Sequence, residues 1–256
     1  MLREEFGFPE ERLFTVADSV NTDRFRPFDG SPAWEAERRR LRDELGIPQD
    51  RRIIVYLGLL APYQGTNLLL EAAQLVLKRC SDVHFLIMGY PDVRPYQQLA
   101  ESLGVAGHVT LPGRIYYKDA HSYLALGDVA VAPKMSLTEG AGKITNYMAM
   151  GLPVVAFNTP VSREILGDAG IYAELGSTES LAEKLLLALE NRELAQNLGR
   201  RAREKAVTEH SWELAASQIQ AIYDHVLAAR KGELPGIALE QARKIEHFRR
   251  PQVRVK

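Results

Sequence analysis

Between Pro133 and Pro153 the chain reads PKMSLTEGAGKITNYMAMGLP. Within it, Glu139-Gly140-Ala141-Gly142-Lys143 follows the apolar run DVAVA and opens a helix that Gly151 stops. Small residues let a ligand come close to free backbone N–H groups at a helix start. The helix dipole favours an anion there, and Lys143 adds a full positive charge. This chemistry suits a diphosphate. The same glycines would also serve an ordinary strand-to-helix turn that needs sharp bending, so the segment alone leaves both readings open.

Three other segments follow apolar runs in the same way: GLLAPYQG (Gly58 to Gly65), GYPDVRP (Gly89 to Pro95) and PGRIYYKD (Pro112 to Asp119). The first is not a dinucleotide fingerprint, because G-X-G-X-X-G is absent. No Asp-X-Asp triplet offers a seat for a divalent metal against a diphosphate, and the six His residues do not fall at ligand spacing. His121 and His210 precede or open helices and read as surface or capping residues. Charge neutralisation is expected from the helix dipole and lysine.

These segments need a scaffold that gathers them, and the chain provides one. From Ile53 onward, short β-branched runs alternate with longer amphipathic stretches, the pattern of parallel strands joined by crossover helices. The predicted strands are Ile53 to Leu57, His84 to Met88, Val129 to Ala132 and Val154 to Phe157, and the predicted crossover helices include Thr66 to Lys78 and Tyr96 to Leu103. The fold class is therefore α/β, a doubly wound parallel sheet of the Rossmann-like kind, which binds ligands at the carboxyl ends of its strands. Three amphipathic helices, Leu181 to Glu190, Glu193 to Val207 and Trp212 to Leu227, make the end of the chain helical.

The 256 residues include 46% hydrophobic and 25% charged side chains, a globular composition long enough to bury a full core. With 32 basic against 33 acidic residues, no overall field recruits nucleic acid, which is not expected as a partner. Cys80 is the only cysteine, which excludes an internal disulfide and is compatible with a cytoplasmic location. No signal peptide is read after Met1, and no apolar run approaches the ~18 residues of a membrane span. The expected organisation is an opening strand, turn and helix over residues 1–50 appended to the sheet, a Rossmann-like ligand-binding domain with its terminal helices over 51–228, and a basic tail over 229–256. From Arg230 onward the tail holds eight Lys and Arg against three Glu, which could make a peripheral contact with anionic lipid at the inner face of a membrane or could simply be solvated.

The order GLLAPYQG, EGAGKITNYMAMGLPVVA and SWELAASQIQAIYDHV resembles the C-terminal, donor-binding half of family 4 glycosyltransferases with the GT-B fold. The resemblance runs over about residues 8 to 228 and includes FTVADSVNTDRFRP, similar to the family's opening "pNGvDtdrFrP", with Asp18-Ser19 where Asn-Gly is usual. It implies that an N-terminal GT-B domain, on which the acceptor binds, is missing from this chain and lies on another polypeptide or was lost by truncation.

The resemblance assigns roles to individual residues. Glu139 matches the glutamate that touches the donor sugar. Asn146 falls where a second glutamate holds the ribose diol, at a spacing one residue shorter, and a neutral amide bonds a diol more weakly than a carboxylate does. Leu59 and Gln64 stand where the family carries Arg and Lys for the β-phosphate, beside Gly58. Lys143 is the expected replacement, with Lys134 or Arg114 as alternatives. Gly140, Gly142 and Ile144 complete the donor-binding set, while Tyr147 and Met148 read as core packing. PGRIYYKD is similar to the family's "Grvpyee" loop over the nucleobase, which implies base contacts for Arg114 and Ile115; a plain surface loop over a buried aromatic pair reads equally well. Glu164 matches a further family glutamate, but Thr159-Pro160-Val161 replaces the usual small-residue turn before it, so no role is assigned to it.

The implied function is the donor half of a retaining, metal-independent hexosyltransferase. It would use a nucleotide-diphosphate sugar as substrate, no cofactor, and a sugar, lipid-linked or protein acceptor. The alternatives are a non-catalytic nucleotide-sugar binding module that pairs with another chain, motivated by Leu59, Gln64 and Asn146, and a GT-B nucleotide-sugar epimerase.

Overall fold

A computed structural model describes residues 5–9 and 13–230. The basic tail therefore lies outside the described residues, apart from the last turn of the terminal helix. The sheet has six parallel strands: β1 (Arg52–Leu59), β2 (Val83–Tyr90), β3 (Val109–Gly113), β4 (Val129–Ala132), β5 (Val154–Phe157) and β6 (Gly170–Ala173). Their spatial order is β3-β2-β1-β4-β5-β6. The chain first builds outward from β1 and then returns to its other side, so β1 and β4 are neighbours, with Ile54 opposite Val129 and Val55 opposite Ala130.

Around the sheet lie α1 (Pro32–Glu44), α2 (Thr66–Leu77), α3 (Arg94–Ser102), α4 (Tyr117–Leu124), α5 (Gly142–Ala149), α6 (Pro160–Leu166), α7 (Thr178–Glu190), α8 (Arg192–Glu209) and α9 (Trp212–Arg230). Alternate residues of each central strand feed two cores. Ile53, Val55, Ala130 and Val154 meet Leu124, Ile144, Leu166 and Ala202 on one face. Ile54, Val129, Val131 and Val155 meet Leu69, Ala73, Leu181 and Leu185 on the other. Burial on both faces explains why β1 and β4 are apolar throughout.

The first 50 residues differ from the reading of an appendage that opens on a strand. Leu13 to Val16 form no strand, and among the described residues of this segment the pairing is an isolated parallel bridge, Val20 to Ser211. The segment is fixed by side-chain bonding instead. Arg203 of α8 donates to the carbonyls of Thr22, Phe25 and Ala149, tying the strap to the end of α5. Val20, Phe25, Leu41 and Ile47 are buried in the α5 side of the core, so this region is part of the domain. His210, expected as a surface or capping residue, caps the end of α8 but is buried, and its Nδ1 lies 3.1 Å from the Asp18 carbonyl oxygen.

Candidate functional site

The change in winding direction at β1 and β4 opens a crevice at their carboxyl ends, where the GLLAPYQG loop and the loop before α5 meet. The two loops press together. Gly65 has φ +74°, and a Cβ there would overlap the Pro133 carbonyl, so only glycine permits this contact. The contact leaves Gln64 only 4% exposed, its amide facing the crevice floor.

Lys143, in the first turn of α5, reaches across to that floor. Its Nζ donates to Gln64 Oε1 at 2.7 Å and to Tyr56 Oη at 3.0 Å, and lies 4.2 Å from the centre of the Tyr56 ring. A Cβ on Gly58 would come within 2.5 Å of the same Nζ, so the ammonium rests on the bare backbone of the β1 loop. Among the described residues it has no carboxylate within ion-pair distance. Burial, then the neighbouring Lys134, push its pKa down to about 7, and Glu139 opposes the shift only weakly. A partly buried cation held only by neutral partners is one that an arriving anion would stabilise.

The helix beneath it is open. Ala141 at the N-cap position makes no side-chain cap, and the Ile144 amide already bonds the Ala141 carbonyl. The amides of Gly142 and Lys143 have no acceptor within the helix. Lys134 is differently employed: it is 5% exposed, pairs with Glu139 Oε2 at 2.9 Å and donates to the Gly140 carbonyl at 2.6 Å. It braces the loop that presents Glu139 and Gly140, which argues against its expected role as a phosphate cation.

Next to the crevice lies a cavity of about 360 Å³, bordered by Gly58, Leu59, Tyr90, Arg114, Ile115 and Tyr117 among others. The Arg114 guanidinium sits 5.2 Å from the Tyr90 ring centre and 5.3 Å from that of Tyr116. The PGRIYYKD segment divides there: Pro112-Gly113 end β3, and Tyr117 starts α4. Tyr117 Oη donates to Asn146 Oδ1 at 3.5 Å, linking the cavity wall to the second turn of α5.

The structure thus places Lys143 against Gly58 and Gln64, Glu139 and Gly140 on a loop braced by Lys134, Gly58, Leu59, Arg114 and Ile115 in the cavity wall, Asn146 beside Tyr117 of that wall, and Gly142 at the start of α5. Ile144 and Lys134 are the exceptions: Lys134 is taken up by Glu139 and the Gly140 carbonyl, and the Ile144 side chain is fully buried in the core with its amide bonded, so neither is presented to a ligand. At one position from Lys143 the helix has turned about 100°, which carries the side chain from the crevice into the sheet. Sequence reasoning missed Tyr56, Tyr90 and Tyr117. Tyr56 is hidden in an apolar strand run, and the other two lie within GYPDVRP and PGRIYYKD, segments singled out as loops without these residues being named.

The family model for glycosyl transferases group 1 matches residues 37–205. EpsD of Bacillus subtilis (strain 168) is 33% identical over 192 residues, 73% of this chain and 48% of that protein. The chain spans about half the length of the curated relatives it matches. Among solved structures, a glycosyltransferase from Rickettsia africae ESF-5 superposes with a TM-score of 0.79 at 20% identity, covering 88% of this chain and 60% of that one. Anabaena Alr3699/HepE, solved in complex with UDP, superposes with a TM-score of 0.74 at 18% identity, covering 85% of this chain and 59% of that one. At these identities the two structures show the fold, a half of the GT-B architecture.

Proposed function

Because the chain belongs to the glycosyl transferases group 1 family, we propose that it is the donor-binding half of a hexosyltransferase that takes a nucleotide-diphosphate sugar and acts without a metal, with retention at the anomeric carbon. The observation that carries the reading is the Lys143 ammonium over Gly58, bonded to Gln64. It supplies positive charge at the loop where Leu59 and Gln64 leave none. The diphosphate would lie between this ammonium and the free amides of Gly142 and Lys143, which stabilise the charge that develops on the leaving nucleotide. Glu139, held by Lys134, would orient the transferred sugar, and Asn146 the ribose. The base would enter the cavity beside Arg114 and Ile115. The UDP bound to HepE, a protein of the same fold, supports a nucleotide donor.

The acceptor, whether sugar, lipid-linked or protein, would come from an N-terminal GT-B domain outside this chain. On this reading the isolated chain binds nucleotide and transfers little. Titration calorimetry with UDP and with GDP tests it. Lys143→Ala should weaken the better ligand at least tenfold, for a charge-assisted bond worth about 1.5–3 kcal/mol. Equal affinity in the two proteins would remove the proposed clamp.

A further inference from the structure

The strap that precedes α1 delivers a carboxylate to the mouth of this crevice. Its course is fixed by the Val20 bridge to Ser211, by Arg203 on the carbonyls of Thr22 and Phe25, and by the contact of the Asp18 carbonyl with His210. The Asp18 side chain then lies against the glycines of the α5 entrance: Oδ2 would be 2.7 Å from a Cβ on Gly140 and 3.8 Å from one on Gly142. A side chain at Gly140 would collide with it. Of the nearby lysines of the crevice, Lys134 is already paired with Glu139, and Lys143 faces Gln64 and Tyr56 on the floor. Asp18 thus places a negative charge at the sugar-side lip of a site read above as a diphosphate clamp.

We propose that Asp18 sets the selectivity of this site for a glycosylated nucleoside diphosphate over the free nucleoside diphosphate. The inference rests on the diphosphate reading above. The two ligands differ at the atom nearest this lip. In the free nucleotide the terminal phosphate is a monoester with a second ionisation near pH 6, so it carries about −1.5 to −2 at pH 7. In the sugar nucleotide that same oxygen is esterified, the group carries about one charge fewer, and what faces Asp18 is a set of hydroxyl donors. A carboxylate is an acceptor only. It accepts from the sugar and repels the bare phosphate, so the donor enters more favourably than the spent nucleotide stays. For one extra charge facing the carboxylate, in a medium between water and protein surface, the repulsion is expected to amount to about a fivefold difference in affinity. Salt should reduce it.

The test compares the full chain with Asp18→Asn, which keeps an acceptor oxygen and removes the charge. Each protein is titrated with UDP, UDP-glucose, GDP and GDP-mannose at low salt. The expected result, for whichever nucleotide binds, is a free diphosphate held about fivefold tighter by the variant, with the sugar ester unchanged within twofold and the difference shrinking at high salt. Asp18→Ala, which also removes the acceptor, should tighten the free diphosphate equally and weaken the sugar ester. Equal tightening of both ligands, or no change in either, would overturn the selectivity role while leaving the diphosphate site standing. Wild-type protein that binds none of the four ligands would sink the diphosphate reading and this inference together. Matching thermal melting curves establish that each variant is folded.

Discussion

Several charges at the two ends of the sheet are handled in different ways. At the amino end, below β1 and β2, charged groups have committed partners. Arg52 bonds both oxygens of Asp82, Asp128 accepts the Ile53 amide, and the buried Arg42 gives one nitrogen to the carbonyls of Pro48, Gln49 and Arg51. At the carboxyl end, Lys143 meets only a neutral amide and a phenol, Arg114 meets two aromatic rings, and Asp18 faces bare glycine. Charges already answered by the protein hold the fold. Charges left with weak partners are available to a ligand, and substitutions at the two ends should separate stability from binding.

The largest expected effect is at Arg42, which is 2% exposed. Replacing it with Met keeps much of the stem and removes the donor shared by three carbonyls. Leaving those acceptors without it should reduce unfolding free energy by about 3 kcal/mol in urea denaturation, with nucleotide affinity unchanged in protein that remains folded. A loss of affinity without loss of stability would break the contrast between the two ends.

His84 gives a pH-dependent version of the same argument. It is buried at the amino end of β2, with Nε2 2.8 Å from Thr110 Oγ1 and Nδ1 3.3 Å from Arg51 Nη1. Burial first, then the charge of Arg51, hold its pKa down to about 4. The folded protein keeps this ring neutral where the unfolded chain, titrating near 6.5, takes a proton. Its contribution is therefore complete above pH 6.5 and is lost as the pH falls toward 4. Between pH 7 and pH 5 the wild type should lose about 2 kcal/mol that His84→Gln does not lose, read from denaturation at the two pH values. Parallel profiles would show that the ring is not the titrating group.

How much of this the sequence discloses depends on where information is stored along the chain. β1, β2, β4 and β5 are legible because both faces of each are buried, which writes a continuous apolar run. β3 and β6 lie at the edges, and their sequences VTLPG and GIYA are broken by proline or glycine, so no apolar run marks them. The loops of the site are legible for the same reason as the central strands, since each follows one. The bond from Lys143 to Gln64 is not. It joins residues 79 apart and exists because β4 lies beside β1, a consequence of strand order that no local pattern records. Ile144 shows the converse error: adjacency to Lys143 along the chain is not adjacency in space once the segment is helical.

The smallest predicted effect bears most directly on the contrast, because it asks whether the carboxyl end bears a stability penalty for its unanswered charge. The Lys143 pKa is lowered to about 7, chiefly by burial, whereas an unfolded lysine titrates near 10.5. Between those values the unfolded chain holds a proton that the folded protein has released, so unfolding takes up a proton and stability rises with pH. The penalty is full below pH 7 and is relieved as the pH climbs through the window. Lys143 is only partly buried as a residue, which limits the gain to about 1 kcal/mol between pH 7 and pH 9. Lys143→Met has no such proton, so the difference between the two proteins' unfolding free energies should shift by that amount over the interval, with all other titrations cancelling. Saturating nucleotide should abolish the shift, because an anion beside the ammonium returns its pKa toward the ordinary range. A flat difference would mean that Lys143 is as well answered as Arg52, which is bonded to Asp82, and the contrast between the two ends would fail.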